Sequence, residues 1–133
     1  SNDMWSQLAT SNLLHAIDKA EEKGTKLLDL SRKKIGVADL TCIAEVLDKK
    51  TTFTALDLSG NRIGDDGARL LSKFLENNTT LETLCLMYNQ IGYAGAEHIA
   101  AALESNVKLS KLSLCSNRIG GQGAKQIVHA LEK

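Results

Sequence analysis

Apolar residues recur along this chain in two alternating rhythms. Four short stretches place leucines two apart: Leu28 and Leu30, Leu56 and Leu58, Leu84 and Leu86, Leu112 and Leu114. Alternate side chains of a strand face opposite ways, so each stretch predicts a short strand with one apolar face. An isoleucine follows each one, at Ile35, Ile63, Ile91 and Ile119. Beyond it, apolar residues recur three and four apart, which predicts an amphipathic helix. The expected helices cover 38–48, with Leu40, Ile43, Val46 and Leu47 inward, and 66–77, with Ala68, Leu71, Phe74 and Leu75 inward. Ala96, Ile99, Ala102 and Leu103 mark a third, and Ala124, Ile127, Val128 and Leu131 a fourth. Ahead of them, 4–22 reads as a helix whose apolar face holds Trp5, Leu8, Leu13, Leu14, Ile17 and Ala20, stopped by Gly24.

The polar residues between strand and helix also recur. Asn61, Asn89 and Asn117 stand at the turn, and Lys33 holds that place in the first unit. A carboxamide both donates and accepts, so it can satisfy backbone groups of its own turn and of the adjacent one. Gly64, Gly92 and Gly120 are expected to supply unusual backbone angles. Gly67-Ala68, Gly95-Ala96 and Gly123-Ala124 leave room for each helix to lie close to its strand. Asp65 and Asp66 open a helix, where carboxylates meet the dipole and free N–H groups.

The first leucines stand at 28, 56, 84 and 112, a constant step of 28 residues. The unit L-x-L-x-x-N-x-I-G-x-x-G at this period resembles a leucine-rich repeat. Its turns, and segments such as N-R-I-G-D-D-G-A-R-L-L, are similar to the ribonuclease-inhibitor type, as found in NOD-like receptors and Ran GTPase-activating proteins. The resemblance covers 25–133 fully and the first helix loosely. It implies an α/β leucine-rich-repeat solenoid, with a curved parallel sheet inside and helices outside. Two departures stand out: ribonuclease inhibitor alternates two repeat lengths where this chain keeps one, and Lys33 replaces a ladder asparagine. The expected organisation is an N-terminal capping helix over 1–24 and a repeat domain over 25–133. Its repeats are 25–52, 53–80, 81–108 and 109–133. No polar cap follows the fourth helix, so the chain is expected to be a fragment of a longer repeat protein or to pair at that end, including end-to-end with itself.

Charge narrows the partner class. Sixteen basic and 16 acidic residues balance among 133, which argues against a dedicated nucleic-acid or anionic-membrane surface. No apolar run reaches the length of a membrane span, and the first residues lack a signal-peptide pattern. The three cysteines, Cys42, Cys85 and Cys115, form no C-x-x-C pair. This suits a reducing intracellular setting, expected to be cytoplasmic, or the host cytoplasm for a microbial effector. Two glycosylation sequons at Asn77 and Asn78 are read as chance matches.

Outward strand and turn positions supply the candidate binding face. Read across the repeats, they run Leu27, Ala55, Thr83, Lys111; Asp29, Asp57, Cys85, Ser113; Ser31, Ser59, Met87, Cys115; and Arg32, Gly60, Tyr88, Ser116. Arg62 and Arg118 flank them. Met87 and Tyr88 lead, because a methionine and a tyrosine together can bury large area on a partner. Tyr93, expected in the descending loop, extends that patch or is a plain turn residue. Asp29 and Asp57 stand on adjacent strands, about 4.8 Å apart; they either share a proton, attract a basic partner, or are solvated and bridged by Arg32 or Lys26.

Reactive chemistry finds less support. Cys85 and Cys115 stand roughly 8 Å apart, too far for an unstrained disulfide. His98 and His129 fall on helices beyond the sheet, so neither a Cys–His nucleophile nor a zinc site assembles. The recurrent glycines lack a P-loop lysine. No cofactor is expected. The basic triplet Arg32-Lys33-Lys34 reads as a solvated turn or as a contact for phosphate or an acidic partner.

The expected function is protein binding without enzymatic chemistry, through Asp29, Arg32, Asp57, Arg62, Thr83, Cys85, Met87, Tyr88, Lys111, Ser113 and Cys115. The alternatives are a GTPase-regulating accessory protein, as the resemblance to Ran activators implies, and a sensor or autoinhibitory segment of a longer receptor or microbial effector.

Overall fold

The computed structural model describes residues 4–132; the outer ends of the expected segments, 1–3 and 133, lie outside it. The elements run α1 (Met4–Glu22), β1 (Leu27–Asp29), α2 (Val37–Leu47), β2 (Ala55–Asp57), α3 (Gly64–Asn77), β3 (Thr83–Cys85), α4 (Tyr93–Ser105), β4 (Lys111–Ser113) and α5 (Gly120–Leu131). The strands form one parallel sheet in chain order, with Leu28, Leu56, Leu84 and Leu112 side by side in register. Strands pack about 4.8 Å apart and helices about 8–10 Å apart. One 28-residue step must satisfy both spacings, so the stack bends with the sheet on the inside. The core lies between the layers. Both leucines of each L-x-L pair and the turn isoleucine are buried in the first three repeats, against Leu40, Leu71, Leu75, Ile99 and Leu103. In the fourth repeat Leu112, Leu114 and Ile119 are only half-buried, because among the described residues no further layer covers them.

The helix α1 ends as expected. Gly24 takes φ +71°, Thr25 N–H donates to the Ala20 carbonyl at 3.1 Å and Gly24 N–H to Glu21 at 2.9 Å. This closes the last turn through a left-handed residue. The expected apolar face is corrected at its start. Leu13 and Ile17 are buried, but Trp5 is 74 % and Leu8 50 % exposed. The reason is length: α1 has 19 residues and α2 has 11. Their contacts begin at Thr10, whose hydroxyl donates to the Asp39 carboxylate at the start of α2. They end at Lys50, whose ammonium reaches Glu21 at 2.8 Å and Asp18 at 3.1 Å. Trp5 and Leu8 lie ahead of these joints, beyond the start of α2, and stay largely in solvent.

The asparagines form the expected ladder. Asn89 is fully buried. Its Nδ2 donates to the Leu58 carbonyl of the previous repeat at 2.9 Å and to Leu86 and Met87 of its own at 3.2 and 3.1 Å. Its Oδ1 accepts from Ile63 N–H at 3.3 Å. Asn61 joins the first two repeats and Asn117 the last two in the same manner. Every ladder carboxamide reaches backwards along the stack. Among the described residues α1 alone precedes the first repeat, so Lys33 leaves the ladder of Asn61, Asn89 and Asn117 intact.

The turns alternate although the repeat length is constant. In the first and third repeats Lys34 and Gln90 take positive φ, and the helix starts after an extended Gly36 or Gly92. In the second and fourth, Gly64 and Gly120 take positive φ, at +60° and +72°. The expectation for Gly92 is thus corrected. Its φ is −103°, and what it supplies is space, because a Cβ there would stand 3.3 Å from the Asp65 carboxylate.

Asp65 and Asp66 lie in the first turn of α3, as expected, and the Asp65 carboxylate has a second use. Asp65 Oδ1 accepts from Gly92 N–H at 2.7 Å and Gly95 N–H at 2.9 Å. It caps the N-terminus of the next repeat's helix, satisfying two of its unpaired N–H groups. Close packing at the glycine-alanine pairs holds: a Cβ on Gly95 would stand 2.7 Å from Ile91 Cγ2 and 3.0 Å from Ala68.

A second asparagine row, which the strand-side pattern does not point to, ties the helix ends together. Asn106 Nδ2 donates to Leu75 and Asn78 carbonyls at 2.7 and 3.2 Å, while its Oδ1 accepts from Lys108 and Leu109 N–H. Asn78 Oδ1 likewise accepts from Thr80 and Leu81 N–H. The equivalent residue in the first repeat is Lys50, which also reaches back to the preceding helix.

Candidate protein-binding surface

The concave surface is built from residues that the strands turn away from the core. The observed register aligns Leu27, Ala55, Thr83 and Lys111, and Asp29, Asp57, Cys85 and Ser113. The expected columns therefore form real rows across the sheet. Thr83, Cys85 and Asp57 are half-buried, and Asp29, Lys111, Ser113 and Cys115 are exposed.

The two aspartates are ordered separately. Asp29 Oδ1 accepts from Ser31 N–H at 3.0 Å and its hydroxyl at 2.6 Å. Asp57 Oδ1 does the same with Ser59, at 2.9 and 2.7 Å. Local bonds of this kind fix each carboxylate against its own turn. The Ser31 hydroxyl and then its amide hold the Asp29 carboxyl below its ordinary value of 3.8; desolvation opposes them and the Lys33 charge assists. A shared proton would raise one of the pair, so this arrangement disfavours proton sharing. No ion pair joins either aspartate to Arg32 or Lys26 among the described residues. The serines occupy the place that the expected bridge assigned to those cations.

Tyr88 and Met87 occupy the centre. Tyr88 is 59 % exposed and has φ +56°, a left-handed conformation uncommon for a bulky residue. Its N–H donates to the Cys115 carbonyl at 3.2 Å. Gly60, Arg32 and Ser116 adopt positive φ at the same place in their repeats. The turn demands this conformation, and in the third repeat it presents an aromatic ring. Met87 beside it is half-buried. Arg32 lies with its stem over Gly60, where an added Cβ would meet Arg32 Cγ at 2.9 Å. Arg62 and Arg118 are exposed beyond the ladder, and their N–H groups bond to Ile35 and Ile91. Tyr93 is corrected: it is the first residue of α4, and its hydroxyl accepts from Gln126 on α5 at 2.9 Å. It braces two helices.

Cys42, Cys85 and Cys115 are free thiols. His98 and His129 lie exposed on α4 and α5, in the helical layer opposite the cysteine-bearing strands.

Three segments of the chain, 49–72, 77–100 and 105–128, match the family model described as Leucine Rich repeat. The chain belongs to the leucine-rich repeat family. The matched segments repeat at the same step as the leucines, and together they make up more than half of the molecule. A search of curated protein sequences returns no match. Among solved structures, "Leiomodin-1 Actin-Binding Site 2 (ABS2)" superposes with a TM-score of 0.73 at 20 % identity, over 99 % of this chain and 75 % of that one. The tropomodulin C-terminal domain of Caenorhabditis elegans superposes with a TM-score of 0.56 at 15 % identity, over 90 % of this chain and 91 % of that one. At these identities the likeness is one of leucine-rich repeat fold.

Proposed function

We propose that this leucine-rich repeat chain is a protein-interaction module that binds a partner protein on its concave strand face, without chemistry of its own. The observation that carries the reading is Tyr88. It is a large aromatic side chain held out from the sheet by an obligatory turn, beside half-buried Met87 and flanked by two internally ordered carboxylates. Interface hot spots favour such aromatic anchors on rigid supports. Lys111, Ser113 and Cys115 extend the surface on one side, Thr83 and Cys85 lie beneath Met87, and Arg32 and Arg62 rim the other. The L-x-L-x-x-N-x-I-G-x-x-G unit and the alternating turns support assignment to the ribonuclease-inhibitor type of repeat, from which the constant step departs. The free cysteines support an intracellular setting.

Actin is the first partner to assay, because the leiomodin-1 structure that shares the fold is named for an actin-binding site. Pelleting with actin filaments and capture with immobilised monomers are the two formats. The wild-type chain is compared with a Met87→Glu/Tyr88→Glu variant whose fold is checked by circular dichroism. Binding lost in the variant supports both the surface and the partner. Equal capture of actin by both proteins contradicts the surface. No actin binding removes actin, and the same pair of proteins then serves as bait for other partners.

A further inference from the structure

We propose that the notch between α1 and the first turn is a second binding site, distinct from the concave face, that takes an acidic peptide segment bearing an apolar side chain. The notch encloses about 480 Å³ and is lined by Ser6, Ala9, Asn12, Leu13, Ala16, Lys33, Lys34 and Asp39. Asn61, Asn89 and Asn117 each reach back to a carbonyl of the previous repeat, at Leu30, Leu58 and Leu86. Among the described residues α1 alone precedes the first repeat, and the notch lies between it and the turn that carries Lys33 and Lys34.

The lining states the chemistry. Its floor is apolar and small, from Ala9, Leu13 and Ala16 on one side of α1. Its opposite wall carries Lys33 and Lys34, exposed and without an ion pair among the described residues. An ammonium has three donors and no acceptor, so these walls ask for acceptors. The nearby carboxylates keep their charge but take their hydrogen bonds from other groups: Asp39 from Thr10 within the α1–α2 joint, and Asp29, which the Lys33 charge helps to hold low, from Ser31. Arg32 adds a third cation to the same turn. An apolar floor beside two unpaired ammonium groups fits a segment that places an aliphatic side chain inward and carboxylates outward toward the lysines. A simple phosphate would use the lysines and leave the floor empty.

The test is a titration of the ¹⁵N-labelled chain, read by amide shifts, with the peptide acetyl-Glu-Asp-Leu-Glu-Asp-amide. Controls are the uncharged acetyl-Gln-Asn-Leu-Gln-Asn-amide, the same acidic peptide with serine for leucine, and inorganic phosphate. The expected result is saturable movement of Ala9, Leu13, Lys33 and Lys34, weakened at least tenfold in Lys33→Glu/Lys34→Glu and unchanged in Lys73→Glu on the helical face. The serine peptide should bind at least threefold more weakly. The proposal is overturned if these amides stay still. It is also overturned if the uncharged or serine peptide binds as well, if phosphate alone gives the same response, or if the charge-reversed chain binds equally. Because Met87 and Tyr88 are untouched, neither outcome bears on the concave surface.

Discussion

Replacing Asn89 tests whether the ladder holds the repeats together. The side chain is fully buried. Its Nδ2 has two hydrogens for carbonyls of Leu58, Leu86 and Met87 at 2.9–3.2 Å, and its Oδ1 takes Ile63 N–H at 3.3 Å. Asn89→Ala therefore removes about three bonds at about 1 kcal/mol each, from groups that water cannot reach. The expected loss is about 3 kcal/mol, a large share of the roughly 5–15 kcal/mol that holds a domain together. Asn89→Asp keeps the shape and the acceptor but loses both donors and sets a negative charge among carbonyls. It should cost at least as much at pH 7, and part should return on acidification, when the protonated acid can donate once. Asn117→Ala sits in the half-covered last repeat, where water replaces the lost partners, and should cost about 1 kcal/mol. Urea unfolding followed by circular dichroism measures all three, with the slope checked for constancy. An Asn89→Ala midpoint within about 0.5 kcal/mol of wild type, or equal costs at 89 and 117, would refute the reasoning.

Three further outcomes follow from contacts elsewhere. Gly95→Ala should destabilise by about 1–3 kcal/mol through overpacking against Ile91, Ala68 and Asp65, whereas Gly121→Ala, with open space around it, should be neutral or stabilising by about 0.5 kcal/mol; thermal melts of the pair check this. Asp65→Ala should cost about 1 kcal/mol by uncapping α4, with hydrogen exchange accelerated at Gly92 and Gly95 but not at the start of α2. Lys50 has its proton affinity raised above the ordinary 10.5 by Glu21 and then Asp18, against desolvation. Its contribution is therefore complete below that value and lost as pH rises through the folded one. Lys50→Met should remove up to about 1 kcal/mol at neutral pH and flatten the alkaline loss of stability, as melts between pH 8 and 11 can show.

The repeat core was legible because each position serves one steric purpose at every step. Leucines two apart and the isoleucine after them have no place to go but inward, and Asn61, Asn89 and Asn117 announce their turns. What escaped depends on neighbours that spacing does not show. Trp5 and Leu8 fit a helical face, but only the length of α2 decides that nothing covers them. Asp65 looks like a cap for its own helix, and it is the offset between repeats that delivers it to the next one. The Asn78–Asn106 row had a signal, asparagine three residues before Leu81 and Leu109, masked by the stronger motif on the strand side. At the candidate surface, the rows were readable from strand alternation alone. The separate holding of Asp29 and Asp57 was also written two residues on, as Ser31 and Ser59, although strand spacing alone left proton sharing, a basic partner and a solvated pair all open.

The central claim is that the concave strands and turns, centred on Met87 and Tyr88, contact the partner. Once a partner is captured, hydrogen exchange of the free and bound chain tests it most directly. The account predicts slowed exchange in peptides spanning 83–90 and 111–118, with α3 and α4 unchanged on their outer faces. Protection confined to the helices, with 83–90 exchanging as in the free chain, would contradict it.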